Sequence, residues 1–303
     1  MVALPRWLSW PFTLGGASRT VYEERLRAQQ QMLQQTTDYL TELKQELEDK
    51  NLDITASVQY ASYIQQATVP TEDDLRRYVP DGFIYYQPRD IVSGDLPWVH
   101  PYNEGVLIAA LDCTGHGVPG ALIAMLAYAL LNETISVHPH LPPSRLLTEL
   151  DRLMTASLSQ SNPEARKVRD GMDIALVHYR PALRELTFAG AHRPLFLLRK
   201  GSIHEYTGSI DSIGPSLQPT KQFDDTVIRV EPEDRVYLFS DGITDQFGAE
   251  TGKKLLKTRF REFLLEVEAL PMAEQRERIR AGFESWKGHT PQTDDVLVMG
   301  LKF

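Results

Sequence analysis

The chain has 303 residues, of which 42% are hydrophobic and 24% charged, so it can bury a sizeable core as one large domain plus a smaller element, or as two modest domains. Its formal net charge of −9 argues against a broad nucleic-acid or anionic-membrane surface, though not against a local basic pocket for a phosphate. The single cysteine, Cys113, excludes an internal disulfide framework and a multi-cysteine zinc site and fits a cytoplasmic location.

Residues 1–19 are apolar but broken by Pro5, Pro11 and a Gly pair. They make a poor signal peptide and predict a flexible tail. The alternative is an interfacial or partner-docking foot built on Trp7, Trp10 and Phe12. From 20 to 66 there is no Pro or Gly, and Leu26, Leu33, Leu40, Leu47, Ile54 and Ala61 recur every seven residues. That repeat predicts a coiled-coil seam. The second column is mixed, with Leu43 and Ile64 but also Gln29, Thr36, Lys50 and Ser57, so the segment reads as a reversible homodimerisation and regulatory helix. The other reading is a long amphipathic helix packed on its own domain. No apolar run approaches the ~20 residues of a spanning helix, so no transmembrane segment is expected.

Pro70 ends the helix, and residues 67–303 read as one domain. Strands are expected at 83–87, 106–112, across 172–206 in several hairpins, at 234–240 and at 295–302. Helices are expected after Pro119, from Pro143 to about Ser157, and at about 253–268 and 272–286. Hairpin-linked strands with helices grouped between them give an α+β class, a sandwich rather than a βαβ sheet.

Three aspartates stand at strand ends beside small residues: Asp95 in IVSGD, Asp112 in LDCTGHG and Asp241 in FSDG. A fourth position is the Asp294–Asp295 pair before the last strand. Short carboxylates at strand ends make a rigid cage of oxygens, which hard cations such as Mg²⁺ and Mn²⁺ require. Each aspartate alone also fits a turn or a helix cap.

The ordered set YYQPRDIVSGD, LDCTGHGVPGAL, FAGAHRPLFLLR, LFSDGITDQFG and TDDVLVMG resembles the metal-dependent protein phosphatase (PPM, protein phosphatase 2C-like) superfamily. Within it, the chain is similar to the bacterial branch typified by stage II sporulation protein E. The resemblance implies an αββα sandwich of two antiparallel sheets flanked by helices. It also implies hydrolysis of phosphoserine or phosphothreonine by a water activated between two Mn²⁺ or Mg²⁺ ions. Carried over by position, Asp95, Asp112, Asp241 and Asp294 match catalytic metal ligands, and Cys113 matches the residue that lends its backbone carbonyl. Asp295 is the weaker choice at its site. Asp170 and Asp173 are candidates for a third, looser ion. The implied substrate is a phosphorylated STAS-type anti-sigma-factor antagonist in a partner-switching pathway.

Trp98 stands where many relatives carry a second acid. Arg89 and Arg193 are the basic candidates for the phosphate, each weighed against a structural role. His116 is weighed as a proton relay against a loop-orienting role, and His192 is read as structural. The competing functions are a catalytically inactive dimeric scaffold and a two-metal small-molecule phosphohydrolase. The retained aspartates weigh against the first, and the missing Gly-rich phosphate loop against the second.

Overall fold

The computed structural model describes residues 16–159, 170–216 and 220–303, with side chains from Val21 onward. The predicted tail at 1–19 therefore lies almost wholly outside the described residues. The chain forms two compact units, Met1–Ser57 and Val58–Phe303.

Helix α1 runs from Gly16 to Gln66, starting four residues before the composition change suggests. The heptad residues Leu26, Leu33, Leu40, Leu47 and Ile54 are all exposed. Exposed Lys44–Glu48 and Lys50–Glu46 pairs at i,i+4 spacing contribute a few tenths of a kcal/mol each, about what solvated helix pairs give. Among its described side chains, those buried are Ser62 and Gln65 in the last turns, in the second unit.

The second unit holds two five-stranded sheets. One has the order β1-β10-β9-β6-β7, built from Asp81–Gln87 (β1), Leu195–Arg199 (β6), Ser202–Tyr206 (β7), Arg235–Phe239 (β9) and Val296–Lys302 (β10). The other has the order β2-β3-β4-β5-β8, built from Asp95–Tyr102 (β2), Gly105–Cys113 (β3), Met172–Arg180 (β4), Glu185–Ala191 (β5) and Thr226–Arg229 (β8). All pairings between these strands are antiparallel.

Strand alternation sorts the apolar residues into three layers. Val106, Ile108 and Ala110 of β3 join Leu297, Met299 and Leu301 of β10 between the sheets. Leu107, Ala109 and Leu111 point the other way, toward α3 (Gly117–Val137) and α4 (Pro143–Ser159). Tyr237 and Phe239 of β9, with Val296 and Val298, meet Ile243 of the short α5 (Gly242–Asp245), α6 (Leu256–Glu266) and α7 (Met272–Lys287). Strands buried on both faces read as continuous apolar runs, as VLIAALD and DVLVMG do. The expected αββα sandwich is the observed architecture.

Two strands escape the sequence reading for one reason. Pro97 and Pro101 lie in β2, and proline cannot donate to a ladder, but β2 is an edge strand where that is tolerated. The four-residue β8 is the opposite edge. A short α2, Glu72–Arg76, is fixed by a reciprocal Thr71–Asp74 capping box. One correction concerns the membrane: α3, at 21 residues, is long and apolar enough to span one by composition alone. Here it buries Ala121, Ala124, Ala127 and Leu131, in the layer shared with the β2–β3–β4 sheet, as a core helix does.

Leu176 is fully buried in that layer, whereas Val227 on the edge strand is 61% exposed. In urea unfolding, Leu176→Ala is expected to cost about 2–5 kcal/mol and Val227→Ala under about 0.5 kcal/mol. Equal losses would contradict the layering.

Candidate metal centre and active site

Register creates the site. β2, β3 and β4 are neighbours, and their pairing places Asp95 opposite Asp112 and Asp112 opposite Asp173. Three carboxylates thus stand in a row across three strands, where like charges directly opposite repel. The other sheet brings Asp241, just past β9, and Asp294, just before β10. The Asp241 N–H donates to Asp112 Oδ2 at 3.2 Å, tying the two sheet ends together.

Close approach of backbone explains the small residues beside the acids. A Cβ on Gly94 would lie 2.4 Å from the Gly115 carbonyl oxygen, and one on Gly242 would lie 1.8 Å from that of Asp295. Neither position admits a side chain without moving the loop that carries an acid.

The Asp294–Asp295 pair divides its duties. Asp295 is buried, and its carboxylate accepts from the Arg89 and Gly94 backbone N–H groups, each at 2.7 Å. It latches the β1–β2 loop. Asp294 instead lines a cavity of about 620 Å³, together with Asp112, Cys113, Asp241, Asp173 and Arg193. Asp95 sits outside that lining, 3% exposed. A second latch comes from α1: Gln65 Nε2 donates to the Ser93 carbonyl at 2.6 Å, and the Ser93 N–H donates to Gln65 Oε1 at 3.0 Å. The end of the long helix therefore grips the residue two positions before Asp95.

The electrostatics are those of crowded, largely buried acids gathered around one guanidinium. Burial, then the neighbouring Asp112, pushes the Asp95 carboxyl well above the usual carboxylate range. Burial also lifts Asp112, against the pull of Arg193 and with added repulsion from Asp241, to about 7. Burial raises Asp294. Arg193 is 8% exposed. Burial works against its charge, but Asp112, Asp241 and Asp173 outweigh that and hold its proton more firmly. Among the described residues no three acid, histidine or cysteine side chains converge as a finished cage. The donor set nonetheless suits a hard divalent ion: it is all oxygen, and Asp95 Oδ2 is buried without a hydrogen-bond partner.

Of the expected site residues, Asp112, Cys113, Asp241 and Asp294 share the cavity, and Asp95 stands behind them paired with Asp112. Cys113 is buried, and burial raises its thiol pKa well above normal, so its side chain offers no nucleophile. Arg89 turns away, donating from Nη1 to the Thr293 carbonyl at 3.0 Å. Trp98 is a core residue stacked on His100. His116 Nδ1 lies 2.8 Å from Asp90 Oδ2, and His192 Nδ1 lies 2.7 Å from Asp173 Oδ2. Sequence reasoning underweighted Asp173 and Arg193. The usable signal is Asp173 at the start of an apolar strand; its pairing with Asp112 is a matter of register. It passed over Gln65, whose polar side chain reads as an ordinary heptad position.

A two-sheet sandwich with acids gathered from both sheets at one end defines a protein phosphatase 2C-type domain. The stage II sporulation protein E family model matches residues 102–303, and the chain belongs to that family, within the PPM superfamily. The phosphoserine phosphatase RsbP of Bacillus subtilis (strain 168) is 26% identical over 214 residues, 70% of this chain and 49% of RsbP. The chain thus spans about half the length of that curated relative. The SiaA-PP2C domain of Pseudomonas aeruginosa is 32% identical with a TM-score of 0.75, over 84% of this chain and 98% of that one. The phosphatase domain of SpoIIE from Bacillus subtilis, solved with a fragment of its regulatory domain, shares the fold at 13% identity and a TM-score of 0.57, over 73% of this chain and 61% of that one.

Asp295→Ala removes a buried double acceptor and is expected to cost about 2–4 kcal/mol of stability, while Asp294→Ala leaves chelated protein within about 0.5 kcal/mol of wild type. Chemical denaturation reads both, and equal costs would contradict separate roles. A carboxyl whose folded pKa is raised stabilises at low pH and loses that contribution as pH climbs from 3.8 toward about 7, the range for Asp112. Chelated protein should therefore melt lower at about pH 8 than at about pH 5, with a smaller difference in Asp112→Asn. A melting temperature that climbs between those values equally in both proteins would contradict it.

Proposed function

We propose that this protein is a metal-dependent phosphoserine/phosphothreonine phosphatase of bacterial signalling, regulated through pairing of its N-terminal helix. The observation that carries the reading is the alignment of Asp95 and Asp112 across β2 and β3, with Asp241 and Asp294 beside Asp112 at the cavity. The family and the phosphoserine phosphatase relative support the reaction class. The side chains of Asp95, Asp112, Asp241 and Asp294, with the Cys113 carbonyl, would hold two Mn²⁺ or Mg²⁺ ions. Bound there, such ions supply a water of lowered pKa and positive charge for the phosphoryl group.

The chain's own residues do the rest. Asp295 and Gln65 fix the loop that carries Asp95. Arg193 presents a buried guanidinium at the cavity, suited to orienting phosphoryl oxygens. Direct attack by water needs no covalent phospho-enzyme, so the buried Cys113 thiol need not act as a nucleophile. Asp90 pins His116 at the entry of α3, which orients the loop between Asp112 and that helix.

The exposed leucine column of α1 supports a homodimer through residues 20–66, because a long helix with an unburied apolar stripe is stabilised by a partner helix. The Gln65–Ser93 latch gives that pairing a route to the segment carrying Asp95. The substrate in this reading is a phosphorylated STAS-type anti-sigma-factor antagonist, and the location is the cytoplasm, where a buried free thiol persists.

With a phosphoserine protein, phosphate release should require Mn²⁺ or Mg²⁺, stop on chelation, and fall on the order of 10³-fold in Asp112→Ala and Asp241→Ala. Chelator-insensitive release, or full activity in both variants, would sink the metal reading. Removing residues 1–57 should convert a dimer to a monomer in sedimentation and change the rate. No change in either would sink the regulatory reading.

A further inference from the structure

One nitrogen of Arg193 serves three acids. Its Nη2 lies 2.9 Å from Asp112 Oδ2, 3.0 Å from Asp173 Oδ2 and 2.7 Å from Asp241 Oδ2. Those acids come from β3, β4 and the turn after β9, so a single guanidinium bridges both sheets. Its Nε is buried without a partner, a sacrifice of about 1–3 kcal/mol for an orphaned donor. The group is therefore placed for the carboxylates rather than for its own full complement of hydrogen bonds.

The backbone is bent to put it there. His192 has φ +59°, a left-handed conformation that non-glycine residues adopt rarely. Two contacts hold it: the His192 N–H donates to the Ser209 carbonyl at 2.8 Å, and the ring engages Asp173. Pro194 then restricts Arg193 to extended backbone. Strain, a histidine clamp and a proline all aim one cation at the acids.

Two of those acids, Asp112 and Asp241, are proposed metal ligands. We infer that Arg193 is a built-in competitor for the divalent ions, a tethered cation that holds the acid cluster together and lowers its affinity for metal. A fixed positive charge within 3 Å of the ligands repels an arriving dication and shares the oxygens it needs. The site then loads weakly, and a change that tightens the Asp95 segment shifts occupancy across a useful range. The inference rests on the metal reading above.

The test is Mn²⁺ binding, followed by calorimetry and by the loss of the free-ion paramagnetic resonance signal. Full-length Arg193→Met should bind Mn²⁺ about tenfold or more tightly than wild type, and its chelated form should melt lower. Arg193→Lys keeps the charge and should stay close to wild-type affinity. Arg280→Met, on the outer face of α7, should leave affinity unchanged and so exclude an effect of net charge. If Arg193→Met folds only with metal, it is prepared in Mn²⁺ and ion release into excess chelator is timed. Slower release than wild type supports the inference, and equal or faster release overturns it. Unchanged or weaker Mn²⁺ binding by Arg193→Met, with wild type binding normally, overturns this inference alone. Absence of Mn²⁺ binding by wild type overturns it together with the metal reading.

Discussion

Like-charge repulsion at one end of the sandwich governs how the site is built. Antiparallel register sets Asp95, Asp112 and Asp173 side by side, and the second sheet adds Asp241 and Asp294. In a low-dielectric setting, carboxylates so close remain ionised only if positive charge is supplied. The apolar layers hold them there regardless. Each layer is a continuous packing of strand faces against helices or against the other sheet, and none can relax around the acids without giving up burial. The scaffold thus stores the repulsion, and cations relieve it. Asp295 shows the contrast: an acid whose two oxygens are each engaged by a backbone N–H group serves as a structural latch.

The same constraint links the helix to the chemistry. Gln65 closes a two-hydrogen-bond clasp on Ser93, next to the glycine whose N–H reaches Asp295 and two residues from Asp95. A small displacement there is felt by a carboxylate that has almost no exposed surface. Side chains packed at this density shift between discrete arrangements rather than deform smoothly. That makes the end of α1 a suitable place to bias the geometry of the acids, while Arg193 sets how much cation the cluster demands.

Much of this was legible in the sequence, for identifiable reasons. Runs such as VLIAALD and DVLVMG announce strands buried on both faces, and the glycines beside Asp95 and Asp241 mark loops of close approach. The prolines of β2 hid a strand, because edge position is a property of the sheet and not of the segment. The meeting of Asp173 with Asp112 depends on register between strands separated by two helices, which local periodicity does not encode. Arg193 was visible as a basic residue near the site. Its aim was not, because the left-handed turn at His192 breaks the usual preference of non-glycine residues. Gln65 looked like one more polar position in a heptad, and only docking of the last helical turn distinguishes it.

In the proposed reading, carboxylates from both sheets share divalent ions at this end of the sandwich. Anomalous diffraction from crystals grown with Mn²⁺ should then show two manganese peaks bounded by Asp95, Asp112, Asp241 and Asp294. Ordered manganese elsewhere, or none at this cluster under saturating ion, would contradict it.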